Sequence, residues 1–187
     1  MSDITPVLPR QAAPTLDVST VGGGTWSLDQ QSPENFTLVV FYRGLHCPIC
    51  KMQLNDLQNK LDDFDKRGVN VIAVSSDTKE RAEETAQSWG LDRLTLGYGI
   101  DLQTARNWGL YVSAGKGKTS IGVEEPALFS EPGLFLIKPD GSVYFASVQT
   151  MPFARPHFAD ILGAIDFVVK NGYPARGEIE ALAQAAE

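Results

Sequence analysis

Two continuous runs of apolar and β-branched residues, each followed by a segment with helical periodicity, most constrain the fold of this 187-residue chain. The runs span residues 36–42 and 69–75. Runs without polar alternation are typical of strands that are buried on both faces of a sheet. After the first run, apolar residues recur at helical spacing, at Leu54, Leu57, Leu61 and Phe64, before a stop at residues 66–68. The pattern therefore predicts β-α-β units.

Two hairpins are predicted, one early and one late in the chain. Residues 16–20 and 25–28 alternate around three consecutive glycines, and residues 133–137 and 143–146 flank a Lys-Pro-Asp-Gly turn. An apolar helical stripe follows over residues 158–169. The order βαβ…ββα predicts an α/β fold with a mixed central sheet, flanking helices and an N-terminal β-hairpin. We expect one domain over residues 1–187, with residues 1–14 as an extended arm.

The remaining segments give weaker expectations. Asp77 and Glu80 fit a capping box for a helix that runs to about Gly90. A short strand at 94–97 and a short helix at 102–108 follow, and the Gly-, Lys- and Ser-rich residues 113–125 predict a flexible loop. Ile179 and Leu182 indicate a short final helix.

Cys47 and Cys50 are the only cysteines, and they lie between the first buried run and its helix. Residues three apart at a helix start share a face and are close enough for a disulfide. Backbone N–H groups and the helix dipole stabilise a thiolate there, and the thiolate attacks disulfides and peroxides. Pro48 suits the first helical turn. We predict a redox-active dithiol in which either cysteine could be the nucleophile.

The pair also fits two other interpretations, a zinc site and small core residues. His46, Cys47, Cys50 and His157 could supply four zinc ligands, but a closed site usually uses two short-spaced pairs and His157 stands alone. The cysteines could also be small core residues. A pair at a strand-to-helix junction favours redox chemistry over both, so we expect no metal and no cofactor.

Net charge excludes one class of partner. The chain carries a formal charge of −7 and has a pI of about 4.8, with no basic run, which argues against nucleic acid as a partner. No stretch approaches the roughly 20 apolar residues of a membrane helix, and the N-terminus lacks the pattern of a secretory signal. We therefore expect no membrane association and a cytoplasmic location, where a close cysteine pair is more often catalytic than structural.

Several motifs together resemble the peroxiredoxin-like members of the alkyl hydroperoxide reductase/thiol-specific antioxidant (AhpC/TSA) family, which have a thioredoxin-like fold. APTLDVSTVG at residues 13–22 is similar to the opening hairpin of that family. LVVFY at 38–42 is similar to the strand before its active site, and GLFLIKPDG at 133–141 to its late hairpin. The resemblance covers about residues 10–170.

The resemblance also shows where this chain departs from the family. Cys50 falls at the peroxide-attacking cysteine, but Cys47 replaces the expected Thr or Ser and Arg43 replaces the expected Pro. Pro132 falls at the position of the family's distant arginine. Cys47 and Pro132 are instead the residue types of thioredoxins, where this proline is cis, and we expect a functional cis-Pro132 here. Arg43 and His46 could lower the thiol pKa as nearby cations; alternatively Arg43 pairs with a carboxylate and His46 is an exposed loop residue.

The resemblance implies a thiol-dependent oxidoreductase that cycles a Cys47–Cys50 dithiol/disulfide couple. Its substrate would be a peroxide or a disulfide, reset by a thioredoxin- or glutathione-type thiol donor, and a homodimer is allowed. In the peroxidase version Cys50 attacks and Cys47 resolves; in the exchange version these roles are reversed. Loss of the threonine and arginine predicts slow peroxide reduction. The alternative is a non-enzymatic redox sensor or binding module switched by the same disulfide.

Overall fold

The computed structural model describes residues 4–181. Its strands are β1 (Asp17–Thr20), β2 (Thr25–Ser27), β3 (Phe36–Phe41), β4 (Val69–Val74), β5 (Leu96–Tyr98), β6 (Val112–Ala114), β7 (Leu128–Ser130), β8 (Gly133–Ile137) and β9 (Val143–Val148). Its helices are α1 (Pro48–Asn59), α2 (Leu61–Asp65), α3 (Lys79–Trp89), α4 (Leu102–Asn107) and α5 (Phe158–Asn171).

Seven of these strands form one mixed sheet in the order β2-β1-β5-β4-β3-β8-β9. β3 is parallel to β4, and β4 is parallel to β5, whereas β8 and β9 add on the other side as an antiparallel hairpin. The β1-β2 hairpin joins the sheet through antiparallel pairing of β1 with β5. The predicted mixed α/β sheet and N-terminal hairpin are both confirmed.

β3 lies in the middle of this sheet, and all six of its residues are buried. Because side chains alternate along a strand, Leu38 and Val40 enter one apolar cluster with the helix residue Leu54, while Val39 and Phe41 enter a second cluster on the other face. In the second cluster the Phe41 ring lies 5.2 Å from that of Trp108. β3 is thus packed on both faces, and the cysteine segment follows its C-terminal end.

Several local expectations need correction. The helix predicted after residue 48 is interrupted at Lys60, which separates α1 from α2. The cap of α3 is Thr78, whose side chain accepts a hydrogen bond from the Arg81 N–H, and not Asp77, whose carboxylate is used elsewhere. α3 itself ends before Gly90 as predicted, with Gly90 in the left-handed conformation that suits glycine.

Residues 113–125 were predicted to be a flexible loop, and this is wrong for the base of the segment. β6 pairs antiparallel with β7, and a further bridge joins Lys118 to Glu124. The polar composition conceals this pairing because β6 is only partly buried and has no run of apolar residues.

The ends of the chain fit the sequence less completely. The described part of the arm is non-helical and anchored, since the N–H groups of Arg10 and Ala13 donate to the carbonyls of Val143 and Gly141. Ile179 is not helical, and Leu182 lies outside the described residues, so the final helix is not found where the structure can be described. Between residues 4 and 181, no helix is both long and apolar enough to cross a membrane.

Candidate active site

The two cysteines occupy the first turn of α1. Cys47 is the N-cap residue, with extended backbone angles, and its Sγ accepts a hydrogen bond from the N–H of Cys50 at 3.2 Å. Pro48 occupies the start of the helix, where the missing N–H costs no hydrogen bond. A sulfur in the N-cap position takes the place that a serine or aspartate oxygen usually occupies. The positive end of the helix dipole therefore stabilises a negative charge on this sulfur.

Both thiols are free and almost wholly buried, with 1% exposure of Cys47 and none of Cys50. Burial disfavours a thiolate unless hydrogen-bond donors or a cation compensate for lost hydration. The groups around the two sulfurs therefore decide which one ionises.

Arg155 supplies a cation that the sequence did not reveal. It lies in the connection between β9 and α5, and its Nη2 is 3.3 Å from Cys50 Sγ and 3.7 Å from Cys47 Sγ. The same guanidinium donates from Nε to the Pro152 carbonyl at 2.9 Å and from Nη1 to Gln53 Oε1 at 2.5 Å. No sequence motif marks this arginine, which is more than 100 residues from the cysteines along the chain.

The two thiols have opposite pKa shifts. The pKa of Cys47 is lowered to about 6, chiefly by a hydrogen bond from the Cys50 side chain, with further contributions from Arg155, the Cys50 N–H and Arg43 that together outweigh burial. Burial raises the pKa of Cys50 well above its ordinary value, and the neighbouring Cys47 raises it further. The arrangement therefore favours Cys47 as the resting thiolate and Cys50 as a protonated neighbour.

The loop before Cys47 is held by a buried carboxylate. Asp77, in the loop that follows β4, accepts a hydrogen bond from the Leu45 N–H at 2.7 Å and another from Arg81 Nε at 2.8 Å. Gly44 packs against this carboxylate with φ +127°, and a Cβ at this position would lie 2.5 Å from an Asp77 oxygen. The Gly44 carbonyl in turn accepts from the Cys47 N–H at 3.1 Å. Asp77 and Gly44 thus position the start of α1.

Arg43 lies beside the site but is already paired. Its guanidinium lies 3.6 Å from a Glu125 oxygen and 3.3 Å from a Glu131 oxygen, and it stacks 4.7 Å from the centre of the Phe129 ring. This is the carboxylate pairing that the sequence allowed as an alternative. Its charge still lowers the pKa of Cys47, although by less than the charge of Arg155 does.

His46 does not behave as either interpretation expected. It is fully buried, with its ring 4.6 Å from that of Phe129 and its Nδ1 3.4 Å from Arg81 Nη2, so it is not an exposed loop residue. Burial lowers its pKa to about 4, with the charges of Arg43 and Arg81 acting in the same direction. The imidazole is therefore neutral near pH 7 and supplies no positive charge to the thiols.

The expected cis-Pro132 is wrong: no residue between 4 and 181 has a cis peptide bond. Pro132 is buried between β7 and β8, and its carbonyl accepts a hydrogen bond from the Gln149 N–H at 3.1 Å. The trans form is the ordinary preference of an X-Pro bond.

The described residues contain no group of three or more His, Cys, Asp or Glu side chains that could hold a metal ion. His157, one of the four ligands weighed for zinc, is an exposed residue at the N-cap of α5.

Compared with known protein families, the sequence matches the AhpC/TSA family over residues 9–146. Alkyl hydroperoxide reductase C of Staphylococcus aureus is 27% identical over 146 residues, which cover 73% of this chain and 69% of that protein. A Mycobacterium tuberculosis protein provisionally named a peroxiredoxin is also 27% identical, over 147 residues that cover 78% of this chain and 88% of the relative.

Solved structures show the same fold. Reduced 2-Cys peroxiredoxin of Plasmodium vivax superposes with a TM-score of 0.69 at 20% identity, covering 95% of this chain and 92% of the other. Peroxidoxin BcpB of Mycobacterium tuberculosis superposes with a TM-score of 0.67 at 15% identity, covering 87% and 98%. The expected thioredoxin-like arrangement of sheet and helices is therefore confirmed.

Proposed function

Because this chain belongs to the AhpC/TSA family, we propose that it is a thiol peroxidase whose attacking sulfur is that of Cys47. Thiol-dependent peroxide reduction is the activity of the family's enzymes. The assignment of Cys47 rests on one observation: its sulfur caps α1 and has a pKa lowered to about 6, whereas the pKa of Cys50 is raised. Near pH 7 the nucleophilic thiolate is therefore on Cys47.

The first half of the cycle oxidises the pair. The Cys47 thiolate attacks the terminal oxygen of a peroxide ROOH, the O–O bond breaks, and the products are a sulfenic acid on Cys47 and an alkoxide that takes a proton to become ROH. The sulfur of Cys50 then attacks the sulfenic sulfur, and a Cys47–Cys50 disulfide and one water form. The i, i+3 spacing at the helix start permits this bond with little backbone movement.

The second half resets the pair. Two external thiol groups deliver two electrons and two protons, and they leave as a disulfide. We propose a thioredoxin- or glutathione-type thiol as the donor. The same couple can also exchange with disulfide substrates when Cys47 attacks first.

The resemblance to the family's active-site motif points to a different nucleophile, because Cys50 falls at the position of the peroxide-attacking cysteine. In this chain that sulfur is fully buried and its pKa is raised, which opposes ionisation. Cys47, the position that departs from the family motif, instead has the lowered pKa and the helix-capping position that favour attack. A shift of the reacting sulfur by one helical turn is therefore part of the proposal.

Turnover is tested with the reduced protein and hydrogen peroxide. We expect both thiols to be lost for each peroxide consumed, and repeated turnover when a thioredoxin or glutathione reductase system supplies electrons, followed by loss of NADPH. A disulfide that forms once with no subsequent NADPH loss in either system would contradict the enzyme and favour the redox sensor.

Alkylation by iodoacetamide tests the pKa assignment directly. Since the pKa of Cys47 is lowered, the thiolate should persist to lower pH than that of a free cysteine, whose pKa is about 8.5. We expect the rate at Cys47 to rise with a midpoint near pH 6 and to level off above it. Peptide mapping identifies the modified residue, and a midpoint near that of free cysteine would contradict the assignment.

The location and the oligomeric state of the enzyme are also proposed. We propose that the protein acts in the cytoplasm, and that it can associate as a homodimer. Light scattering of the purified reduced protein checks the second point, since a mass close to the 20.3 kDa of one chain would exclude the dimer under those conditions.

A further inference from the structure

Residues 112–130 form a hairpin, the β6-β7 hairpin, that packs beside the segment carrying the two cysteines. β6 and β7 are its base, and backbone pairing continues beyond them. The Gly115 N–H donates to the Ala127 carbonyl at 3.0 Å, and near the tip the Thr119 N–H donates to the Val123 carbonyl at 2.9 Å. The hairpin is therefore paired from its base almost to its tip.

The β6-β7 hairpin contacts the rest of the protein at the residues that precede Cys47. The Phe129 ring lies 4.6 Å from the ring of His46. The centre of the same ring lies 4.7 Å from the guanidinium carbon of Arg43. Val123 packs against the apolar cluster that contains both cysteines. The hairpin thus covers the chain on the N-terminal side of the reactive thiols.

Glu125 joins both arms of the hairpin to Arg43. Its Oε1 lies 3.6 Å from Arg43 Nη2, and its Oε2 accepts a hydrogen bond from the Lys116 N–H at 2.7 Å. At the base, Glu131 lies 3.3 Å from Arg43 Nε and accepts a hydrogen bond from Ser113 Oγ at 2.5 Å. Loss of Glu125 would therefore release the outer part of the hairpin and leave Arg43 paired.

The burial of both thiols makes access a separate requirement from ionisation. Cys47 is 1% exposed and Cys50 not at all, so a reactant reaches either sulfur only when covering residues move. The two-stranded β6-β7 ladder is separate from the seven-stranded sheet. The hairpin can therefore tilt without breaking any strand pairing of that sheet, and elements that open locally are generally those of low local stability.

We propose that the β6-β7 hairpin is a gate over Cys47 and that Glu125, which holds it closed, is a specificity-determining residue. This rests on the proposed function. A small peroxide needs only a small opening to reach Cys47. A bulky hydroperoxide requires the hairpin to tilt, which breaks the Glu125–Arg43 pair and separates Val123 from the apolar cluster. The enzyme should therefore favour hydrogen peroxide over hydroperoxides with bulky organic groups.

Glu125 could instead act through its charge alone. Arg43 lowers the pKa of Cys47, and a carboxylate beside Arg43 offsets part of that positive charge. The two roles differ in one measurable respect. A change in thiolate charge alters the reaction with every reagent, whereas a gate alters the reaction according to the size of the reagent.

Two maleimides of different size test the gate without peroxide. N-methylmaleimide and fluorescein-5-maleimide react with the same thiolate, so the ratio of their rates at Cys47 reports access and not pKa. We expect Glu125→Gln and Val123→Ala each to raise the bulky-to-small ratio by about threefold or more. The controls Glu124→Gln and Ile121→Ala make the same changes at exposed positions of this hairpin and should stay within about twofold of the parent protein.

A rise below about threefold in either test variant, or an equal rise in its control, would overturn the gate. Val123→Ala changes no charge, so a rise in Glu125→Gln alone would show that Glu125 acts through its charge and would also overturn it. Peptide mapping confirms that Cys47 is the modified residue. If Val123→Ala does not fold, as judged by circular dichroism and urea unfolding, Val123→Thr is held to the same threshold.

The rates with hydrogen peroxide and cumene hydroperoxide give a second measurement. Glu125→Gln should narrow the preference for hydrogen peroxide by about threefold or more, and an unchanged preference would overturn the specificity role. Failure of the parent protein to react with either peroxide would count against the proposed function. The maleimide ratio would still test the gate in that case, because it requires only a reactive thiolate.

Discussion

Replacing Cys47 by serine should reduce the rate constant for hydrogen peroxide by about 1,000-fold or more, whereas Cys50→Ser should retain the first oxidation and lose turnover. A serine hydroxyl is not ionised at neutral pH, so Cys47→Ser removes the nucleophile itself. The remaining thiol, Cys50, is fully buried and its raised pKa keeps it protonated. Cys50→Ser leaves the sulfur that caps α1 in place and removes only the partner that resolves the sulfenic acid.

The two variants are matched controls for each other, since each replaces one sulfur by oxygen within the same helical turn. Stopped-flow fluorescence gives the oxidation rate, and trapping with dimedone followed by mass spectrometry locates the sulfenic acid. We expect a stable adduct on Cys47 in Cys50→Ser and almost none in Cys47→Ser. Fast oxidation of Cys50 in the Cys47→Ser protein would instead assign the attack to Cys50, the position that the family motif implies.

Gly44→Ala should lower the free energy of unfolding by about 2–4 kcal/mol. Two costs combine at this position. The backbone angle, φ +127°, is one that residues with a Cβ rarely adopt, and the new Cβ would lie 2.5 Å from a buried oxygen of Asp77. Relief requires the Asp77 carboxylate to move, which would break its hydrogen bond to the Leu45 N–H.

Gly23→Ala separates these two costs. Gly23 also has a positive φ, +98°, but a Cβ there meets no atom within 4 Å, so only the backbone cost of about 1 kcal/mol should appear. Urea unfolding of both variants, followed by circular dichroism, gives the comparison. Equal losses in the two proteins would mean that the contact with Asp77 carries no free energy and that the loop before Cys47 is not held as described.

Much of the fold was accessible from the sequence because its signals are local or repeat along one element. The buried run at 36–42 predicted β3 because a central strand needs apolar residues on both faces. The helical spacing of Leu54, Leu57 and Leu61 after that run predicted a helix, which placed the cysteine pair at its start. The late hairpin was equally clear, because a Pro-Asp-Gly turn lies between two apolar runs.

The surroundings of the sulfurs were not accessible, because they depend on contacts between distant segments. Arg155 comes from an irregular connection, where neither periodicity nor a motif indicates which way a side chain points. The burial of His46 could not be predicted because it depends on Phe129, which lies on the distant strand β7. The pairing of Arg43 with carboxylates could be recognised only when Glu125 and Glu131 were placed beside it.

The sulfur that caps α1 links the stability of the helix to the oxidation state of the protein. A helix cap contributes about 1 kcal/mol, and here the capping atom is the one that changes chemically in the reaction. Since the N–H of Cys50 binds a thiolate more strongly than a neutral sulfur, the cap favours the reduced form. For a two-electron couple 1.4 kcal/mol corresponds to about 30 mV, so the first turn of one helix should raise the reduction potential by about 20 mV. The hydrogen bond that stabilises the first turn of α1 thereby makes the Cys47–Cys50 couple more oxidising.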